Sequence, residues 1–347
     1  MSQAVGKIAS GAQGWLGSIL KSDPSWVYRL TQSDLSELDK SLRLVEFKRL
    51  KLEEIKRSDF PLPTLAPRLR ELLTDLKSGR GFFVIRGLQV GSYSDEEAAK
   101  IYWGLGTHLG SAVKQNVSGA QLDHVRDLGK KWGELSVRGY QTSGELIFHT
   151  DFSDIVGLLC LRQAKSGGTS KIASAIAVHE KIAEQHPEYL ATLYRGFRYI
   201  RREAVDSDDP VSGFVPVFGL RDGQLSCRIV RERIDAAAKK FGIPLSDLEN
   251  DTLNYFAAVA GNEEVCLSMD LLPGDMQFLN NYTILHSRTS YEDGELPHQK
   301  RHLLRLWLTM RDGRRPLPAG FPQANGYAGP GDKPPKGAYK LGLSVSK

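Results

Sequence analysis

The chain has few cysteines and no pattern that would pair them. Cys160, Cys227 and Cys266 are its only three cysteines, and no Cys-x-x-Cys motif occurs. An odd number of scattered cysteines argues against a disulfide framework or a cysteine-based metal site. The sequence therefore predicts three buried thiols and a reducing, cytoplasmic environment.

Long apolar runs and a strong excess of one charge are also missing. No run of about 18 apolar residues occurs, so no membrane span is predicted. The 46 basic and 41 acidic residues leave a formal charge of +5 on 347 residues, with no long basic run. This favours an ordinary solvated surface over a nucleic-acid-binding one.

The composition is that of a globular protein, with 41% apolar and 25% charged residues. We expect a single domain consisting of an N-terminal extension (1–24), a catalytic core (25–315) and a tail rich in proline and glycine (316–347). Periodicity and turn residues predict helices over 24–58, 65–76, 94–108, 177–193 and 246–260. Strands are predicted over 82–85, 145–150, 155–162, 170–176, 195–203, 224–231, 263–270, 275–280 and 301–310.

Helices mostly in the first half and many short strands in the second indicate an α+β fold built round an antiparallel sandwich or barrel. Residues 111–146 are polar and only weakly periodic. A long irregular stretch inside a compact domain is often a functional loop. We therefore expect Lys114, Gln115, Asn116, Tyr140 and Gln141 to be candidate substrate contacts, although each could equally face solvent.

The string Phe148-His149-Thr150-Asp151 carries the clearest chemical signal. Positions i and i+2 of a strand face the same side, so His149 and Asp151 could reach one point. The later His286 supplies a candidate third ligand, with His298 and His302 as alternatives. Two histidines and one carboxylate suit Fe(II) and leave coordination positions open. The tripeptide alone also occurs by chance without a metal.

Two arginines follow in the string 301–308, which alternates as a strand. Arg301 and Arg305 share one face of that strand, and three leucines share the other. Arginines on an inner face are costly unless an anion meets them, and a carboxylate is the natural partner of a guanidinium. The alternative is that both make ordinary ion pairs within the protein.

The ordered motifs resemble the taurine dioxygenase (TauD/TfdA-like) family of Fe(II)/2-oxoglutarate-dependent oxygenases, within the clavaminate synthase-like group. The matching strings lie at 81–87, 148–151, 167–170, 280–288 and 301–308, and the resemblance covers roughly residues 25–320. It implies a double-stranded β-helix (jelly-roll) core with flanking α-helices. It also implies Fe(II), 2-oxoglutarate and O₂ as cofactor and cosubstrates.

The resemblance further implies roles for individual residues. His149, Asp151 and His286 fall on the iron ligands, and Arg301 falls on the arginine that binds 2-oxoglutarate. Arg305 falls on a second arginine close to substrate or cosubstrate. A cosubstrate-binding hydroxyl falls on Ser170. Threonine is commoner there in the family, so the preceding Thr169 stays a second candidate.

The predicted function is oxidation of a C–H bond in a small molecule, with release of succinate and CO₂. The outcome could be hydroxylation, desaturation or ring formation. Arg305 favours a substrate that bears a carboxylate. Two other functions stay open, namely a cupin-type metal dioxygenase without 2-oxoglutarate and a non-enzymatic β-sandwich that binds a small carboxylate.

Overall fold

The computed structural model describes residues 11–116, 118–130, 137–200, 211–318, 320–322 and 325–326. The helices of this part are α1 Gly17–Ser22, α2 Gln32–Phe47, α3 Leu65–Ser78, α4 Asp95–Leu109, α5 Ala175–Gln185, α6 Glu188–Arg195, α7 Arg231–Phe241 and α8 Asp247–Gly261. The strands are β1 Val27–Arg29, β2 Phe82–Arg86, β3 Ser111–Ala112, β4 Leu122–Val125, β5 Leu146–His149, β6 Ile155–Arg162, β7 Ser166–Gly167, β8 Ser170–Ser174, β9 Phe197–Ile200, β10 Val211–Val215, β11 Phe218–Arg221, β12 Gln224–Cys227, β13 Cys266–Met269, β14 Met276–Asn280, β15 Ile284–Arg288, β16 Tyr291–Glu292 and β17 His302–Thr309.

The larger sheet has the strand order β1-β2-β14-β6-β17-β3, with β4 also paired to β17. Its outer face is apolar and is covered by α2, α3 and α4. Phe83 of β2 and Leu304 and Leu306 of β17 belong to the buried cluster formed with these helices. Side chains on alternate positions of a strand point to opposite faces, so the same strands present a second set of residues to the interior.

The smaller sheet has the order β13-β8-β15-β5 and carries α5 and α8 on its outer face. The inner faces of the two sheets meet in one apolar cluster. Val156 and Leu303 contribute to it from the larger sheet, and Ile172 and Ile284 from the smaller one. The fold is thus α+β with a jelly-roll core between two helical layers, as the sequence predicted.

Several predicted elements are confirmed, including the strand at 82–85 and the helices at 65–76, 94–108 and 246–260. The long helix predicted over 24–58 is wrong in its bounds. Only 32–47 is α-helical, because Val27–Arg29 pairs with β2 as a parallel strand. The single helix predicted over 177–193 is two helices, α5 and α6, separated at Pro187, whose ring and missing N–H end a helix.

The strand predicted over 224–231 is also wrong at its end. It stops at Cys227, and α7 begins at Arg231. The strand predicted over 195–203 is observed over 197–200 and is wrong at its start, because Arg195 ends α6; residues 201–203 lie outside the described part of the chain. The region 111–146 contains β3, β4 and a short 3-10 turn at Gly139–Gln141.

The two ends of the chain contribute to the core where they are described. Trp15 is buried against Phe82, and its indole donates a hydrogen bond to the carbonyl of Arg80. In the tail, Phe321 packs against Tyr282. All three cysteines are buried and free, as predicted. None of the described helices combines the length and apolarity needed to cross a bilayer.

Candidate metal and cosubstrate site

His149, Asp151 and His286 converge between the two sheets. Each offers one ligand atom, and these atoms all lie within 4.8 Å of one another. The register between β5 and β15 sets His149 directly opposite His286, with ring centroids 4.2 Å apart. Nε2 of His286 lies 3.6 Å from Oδ2 of Asp151. The fold brings these three side chains together although they come from distant parts of the chain.

Asp151 reaches this position by a route that the sequence argument missed. It lies beyond the end of β5, so it does not share a strand with His149. Its backbone is held by Asn281 instead, which accepts a hydrogen bond from the Asp151 N–H and donates one to the Asp151 carbonyl. This pair of hydrogen bonds ties the turn after β5 to the turn before β15.

The neighbours of the three side chains orient them for ligation. Nδ1 of His149 lies 2.8 Å from the carbonyl of Ile147, which favours a proton on Nδ1 and leaves Nε2 free to bind a metal. The Trp307 indole donates to Oδ2 of Asp151 over 3.0 Å. Metal ligands are commonly held by such outer hydrogen bonds.

The protonation states also suit metal binding. Burial, together with the neighbouring His149, lowers the pKa of His286 to about 4, so its ring is neutral near pH 7. Burial opposes the ionisation of Asp151, but the charge of Arg305 and the contact with His286 outweigh it and hold the pKa of Asp151 well below its usual range. The site therefore presents a neutral imidazole at His286 and an ionised carboxylate at Asp151, the forms that bind a cation.

Arg301 lies in a cavity that also contains the metal-ligand candidates and Ser170. It is 6% exposed, and its Nη1 has no hydrogen-bond partner among the described residues. Burial lowers its pKa. Gly168 approaches it so closely that a Cβ there would lie 2.9 Å from its Nε. A buried guanidinium that pairs with no acidic side chain of the described residues fits an incoming carboxylate.

The two hydroxyl candidates point in different directions. Ser170 lines the cavity, and its hydroxyl lies 3.4 Å from the side-chain oxygen of Gln277. The hydroxyl of Thr169 donates to Asp270 over 2.8 Å, and Thr169 does not line the cavity. The geometry thus favours Ser170 as the cosubstrate-facing hydroxyl.

Arg305 lines the cavity and lies between two acidic groups. Its Nη1 is 3.7 Å from Asp151 and its Nη2 is 3.9 Å from Asp123. Its Nε donates to the side chain of Gln115, and its guanidinium lies over the rings of Tyr140 and Trp307. Asp151 and Asp123 therefore offset part of its charge, while its Nη2 has no hydrogen-bond partner among the described residues.

The other candidates from the 111–146 loop divide into two groups. Tyr140 lines the cavity, and its hydroxyl donates to Asp123. Gln115 is fully buried. It donates to the backbone carbonyl of Arg305 and accepts from its Nε, so it holds Arg305 in place without lining the cavity. The remaining three candidates are Lys114, Asn116 and Gln141. They line neither this cavity nor the pocket at its mouth.

Sequence reasoning also missed Arg288, which lines the same cavity as Arg301. Both guanidinium groups lie over the Tyr291 ring, at 4.7 and 5.1 Å from its centroid. Arg288 lies two residues after His286 on β15. Because positions i and i+2 of a strand face the same side, the sequence could have indicated that Arg288 also faces the cavity. His302, an alternative ligand, instead contacts His124 and Arg162.

The residues fit a mononuclear Fe(II) centre beside a bound keto diacid. Two imidazoles and one carboxylate on one side of an ion leave other positions open, which is the arrangement of non-haem Fe(II) oxygenases. The unpartnered Nη1 of Arg301, in the same cavity, fits the far carboxylate of such a molecule.

Comparisons with known proteins agree with this geometry. A sequence model of the taurine catabolism dioxygenase TauD, TfdA family matches residues 46–307. FR-33289 synthase of Streptomyces rubellomurinus is 31% identical over 319 residues, which are 91% of this chain and 94% of that protein.

Solved structures share the fold. An asparagine oxygenase in complex with Fe(II), 3-hydroxyasparagine and succinate matches with a TM-score of 0.65 at 18% identity, over 82% of this chain and 93% of its own. The non-haem iron oxygenase OrfP in complex with Fe and alpha-ketoglutaric acid matches with a TM-score of 0.59 at 14% identity, over 82% and 94%.

Proposed function

The chain belongs to the TauD/TfdA family of dioxygenases, which use Fe(II), 2-oxoglutarate and O₂, and from this premise we propose the roles of its residues and its class of substrate. His149, Asp151 and His286 hold the iron. Arg301 binds the far carboxylate of 2-oxoglutarate, with Ser170 beside it. The substrate is a small molecule whose C–H bond is oxidised next to the triad, in a reducing, cytoplasmic environment that suits three free thiols.

The convergence of the three ligand atoms within 4.8 Å is the observation that carries this proposal. Fe(II), 2-oxoglutarate and O₂, when bound, would supply oxidative decarboxylation to succinate and CO₂ coupled to oxidation of the substrate. The protein provides what surrounds that chemistry. His286 is kept neutral by burial, and Trp307 keeps Asp151 turned toward the ligand position.

Charge placement is the second contribution of the protein. Nη1 of Arg301 has no hydrogen-bond partner within the part of the chain that the structure describes, so a carboxylate that enters the cavity gains a charge-assisted hydrogen bond. The apolar side chains of Val156 and Leu303 line the same cavity and limit the access of water. This low-dielectric surrounding strengthens the pairing of Arg301 with its anion.

The test is anaerobic addition of Fe(II) and 2-oxoglutarate, followed by the visible charge-transfer band that the chelate produces. We expect the wild-type protein to give the band and the His286→Ala variant to lose it. A matched His298→Ala variant, which removes an exposed histidine, should keep it. An unchanged band in His286→Ala would overturn the assignment of the triad.

Arg301 separates this function from a cupin-type dioxygenase that needs no 2-oxoglutarate. Arg301→Gln should bind Fe(II) normally but require much more 2-oxoglutarate to form the band. Normal 2-oxoglutarate affinity in that variant, with turnover that releases no succinate, would instead favour the cupin-type chemistry.

A further inference from the structure

A second buried arginine, Arg288, lines the cavity that contains Arg301 and Ser170. Arg288 is 5% exposed and Arg301 is 6% exposed. Their guanidinium carbons lie 4.7 and 5.1 Å from the centroid of the same ring, that of Tyr291. Contact with this ring offsets part of the cost of burying the two charges, but the ring brings no negative charge of its own. Two cations thus lie together where one would suffice to bind a carboxylate.

The guanidinium of Arg288 is held by three backbone carbonyls of residues that do not line the cavity. Its Nε donates a hydrogen bond to the carbonyl of Thr289 over 3.2 Å. Its Nη2 donates to the carbonyl of Thr142 over 3.0 Å and also to the carbonyl of Gly144. These hydrogen bonds fix the plane of the group before any ligand binds. A ligand that meets Arg288 therefore has to immobilise little of its side chain.

Nη1 is the part of the Arg288 guanidinium that the protein leaves unbonded. This nitrogen is buried and has no hydrogen-bond partner in the described ranges, and the same is true of Nη1 of Arg301. A buried donor without a partner costs about 1–3 kcal/mol, so such donors are rare unless a ligand or a water satisfies them. Two of them on side chains that line one cavity indicate a ligand that accepts from both.

The acidic groups around the cavity are bonded elsewhere. Of the described residues that line it, only Asp151 is acidic, and its carboxylate faces Arg305 and the metal position. Two acidic residues outside the lining, Asp127 and Asp293, each accept a backbone N–H instead. The positive charge of the two guanidinium groups therefore attracts an anion into the cavity.

We propose that Arg288 is a second binding residue for the far carboxylate of 2-oxoglutarate, which Nη1 of Arg288 and Nη1 of Arg301 bind together. A carboxylate has two oxygens with about four lone-pair positions, so it can accept from both groups. The inference rests on the proposed function, because it adds a residue to the cosubstrate site of Arg301 and Ser170. Its consequence is specificity. A keto acid without the far carboxylate leaves two buried donors unbonded instead of one, and it should bind poorly.

The test compares two keto acids that differ only in the far group. 2-Oxoglutarate and 2-oxopentanoate share the same carbon chain and the same keto acid end, but 2-oxopentanoate has a methyl group in place of the far carboxylate. Each is titrated anaerobically against the Fe(II)-loaded protein, and the charge-transfer band reports binding without turnover. The ratio of the two affinities isolates the contribution of the far carboxylate.

Arg288→Met should lower this ratio roughly tenfold or more, the cost of losing one charge-assisted hydrogen bond, through weaker binding of 2-oxoglutarate alone. A purely structural role, in which Arg288 only holds the carbonyls of Thr142 and Gly144, would weaken both keto acids alike and leave the ratio unchanged. Arg315→Met is the matched control. This arginine also donates to a backbone carbonyl, that of Leu225, but it does not line the cavity, so the variant should keep the wild-type ratio.

Because the buried Arg288 variant could fail to fold, a crystal structure of the wild-type protein with Mn(II) and 2-oxoglutarate decides independently. Oxygens of the far carboxylate should lie within about 3 Å of Nη1 of both Arg288 and Arg301. A carboxylate bound to Arg301 alone, or an unchanged ratio in folded Arg288→Met, would overturn this inference and leave the proposed function intact. Absence of the charge-transfer band in the wild-type protein would instead reject the oxygenase assignment itself.

Discussion

Gly168 determines how closely the chain can approach Arg301. Its φ of +75° is a conformation that other residues adopt only with strain, and a Cβ there would lie 2.9 Å from the Nε of Arg301. No acidic side chain in the described ranges pairs with the Arg301 guanidinium to hold it against such a contact. The position of the Arg301 guanidinium thus depends on glycine at position 168.

Gly168→Ala is therefore expected to weaken 2-oxoglutarate binding by roughly tenfold, as the displaced Arg301 loses a charge-assisted hydrogen bond. Gly242→Ala is the control. It has a similar φ of +66°, but no atom lies within 4 Å of its Cβ position. Titration of 2-oxoglutarate against the charge-transfer band measures both variants. If Gly168→Ala bound 2-oxoglutarate as tightly as Gly242→Ala, the expected displacement of Arg301 would be contradicted.

His179 should make stability depend on pH. It is 2% exposed in α5, and burial lowers its pKa to about 4, against about 6.5 in an unfolded chain. Between these values the unfolded chain holds the extra proton, so stability falls as the pH decreases. The loss reaches on the order of 3 kcal/mol below the lower value.

Urea unfolding between about pH 7 and pH 4 measures this effect, in the range where the two states differ in protonation. The His179→Gln variant should lose less stability than the wild type over that range. His298→Gln, which removes an exposed histidine, should follow the wild-type curve. An equal loss of stability in His179→Gln and the wild type over that range would assign the effect to other groups.

Among the elements, β17 shows how one strand serves both the core and the site. Leu304, Leu306 and Leu308 face the layer of α2 to α4. Leu303 and Trp307 face the interior between the sheets. Because the period of a strand is two, this division was predictable from the sequence alone.

Substitutions on the two faces of β17 should therefore affect different properties. On the inner face they should lower Fe(II) affinity, and on the outer face they should lower stability. Trp307→Phe keeps most of the ring but loses the hydrogen bond to Asp151, so Fe(II) affinity should fall about tenfold with little loss of stability. Leu306→Ala should lower the free energy of unfolding by about 3 kcal/mol and leave Fe(II) affinity unchanged. Metal titration and urea unfolding of both variants check this, and parallel losses would contradict it.

Other features of the site could not be predicted from local sequence patterns. The sequence located the three ligand candidates, but not how Asp151 is held, because Asn281 reaches it from a turn far along the chain. The strand predicted over 224–231 includes the first residue of α7, so the sequence did not point to Arg233, which lines a pocket beside His149 and Asp151 from the start of that helix. Which loop faces which strand depends on tertiary packing that periodicity does not encode.

For the molecule as a whole, the segment from Gln13 to Leu20 connects the two sheets. Trp15 packs on Phe82 of the larger sheet. The carbonyl of Gln13 accepts a hydrogen bond from Ser174 of the smaller sheet. The N–H of Gly17 donates to Val265, just before β13. The segment assigned from sequence to an extension thus contacts both layers that enclose the metal site.

Removal of residues 1–22 should accordingly destabilise the protein by about 3 kcal/mol or more, mainly through the loss of buried Trp15. Removal of residues 1–10 leaves these contacts in place and is the control. Gly17→Ala is an independent check, because its Cβ would lie 2.0 Å from the carbonyl oxygen of Cys266 and push the segment away. Equal urea midpoints for the two truncations would mean that the sheets hold together without this segment. A lower midpoint for both the longer truncation and Gly17→Ala would show that this segment stabilises the packing of the two sheets.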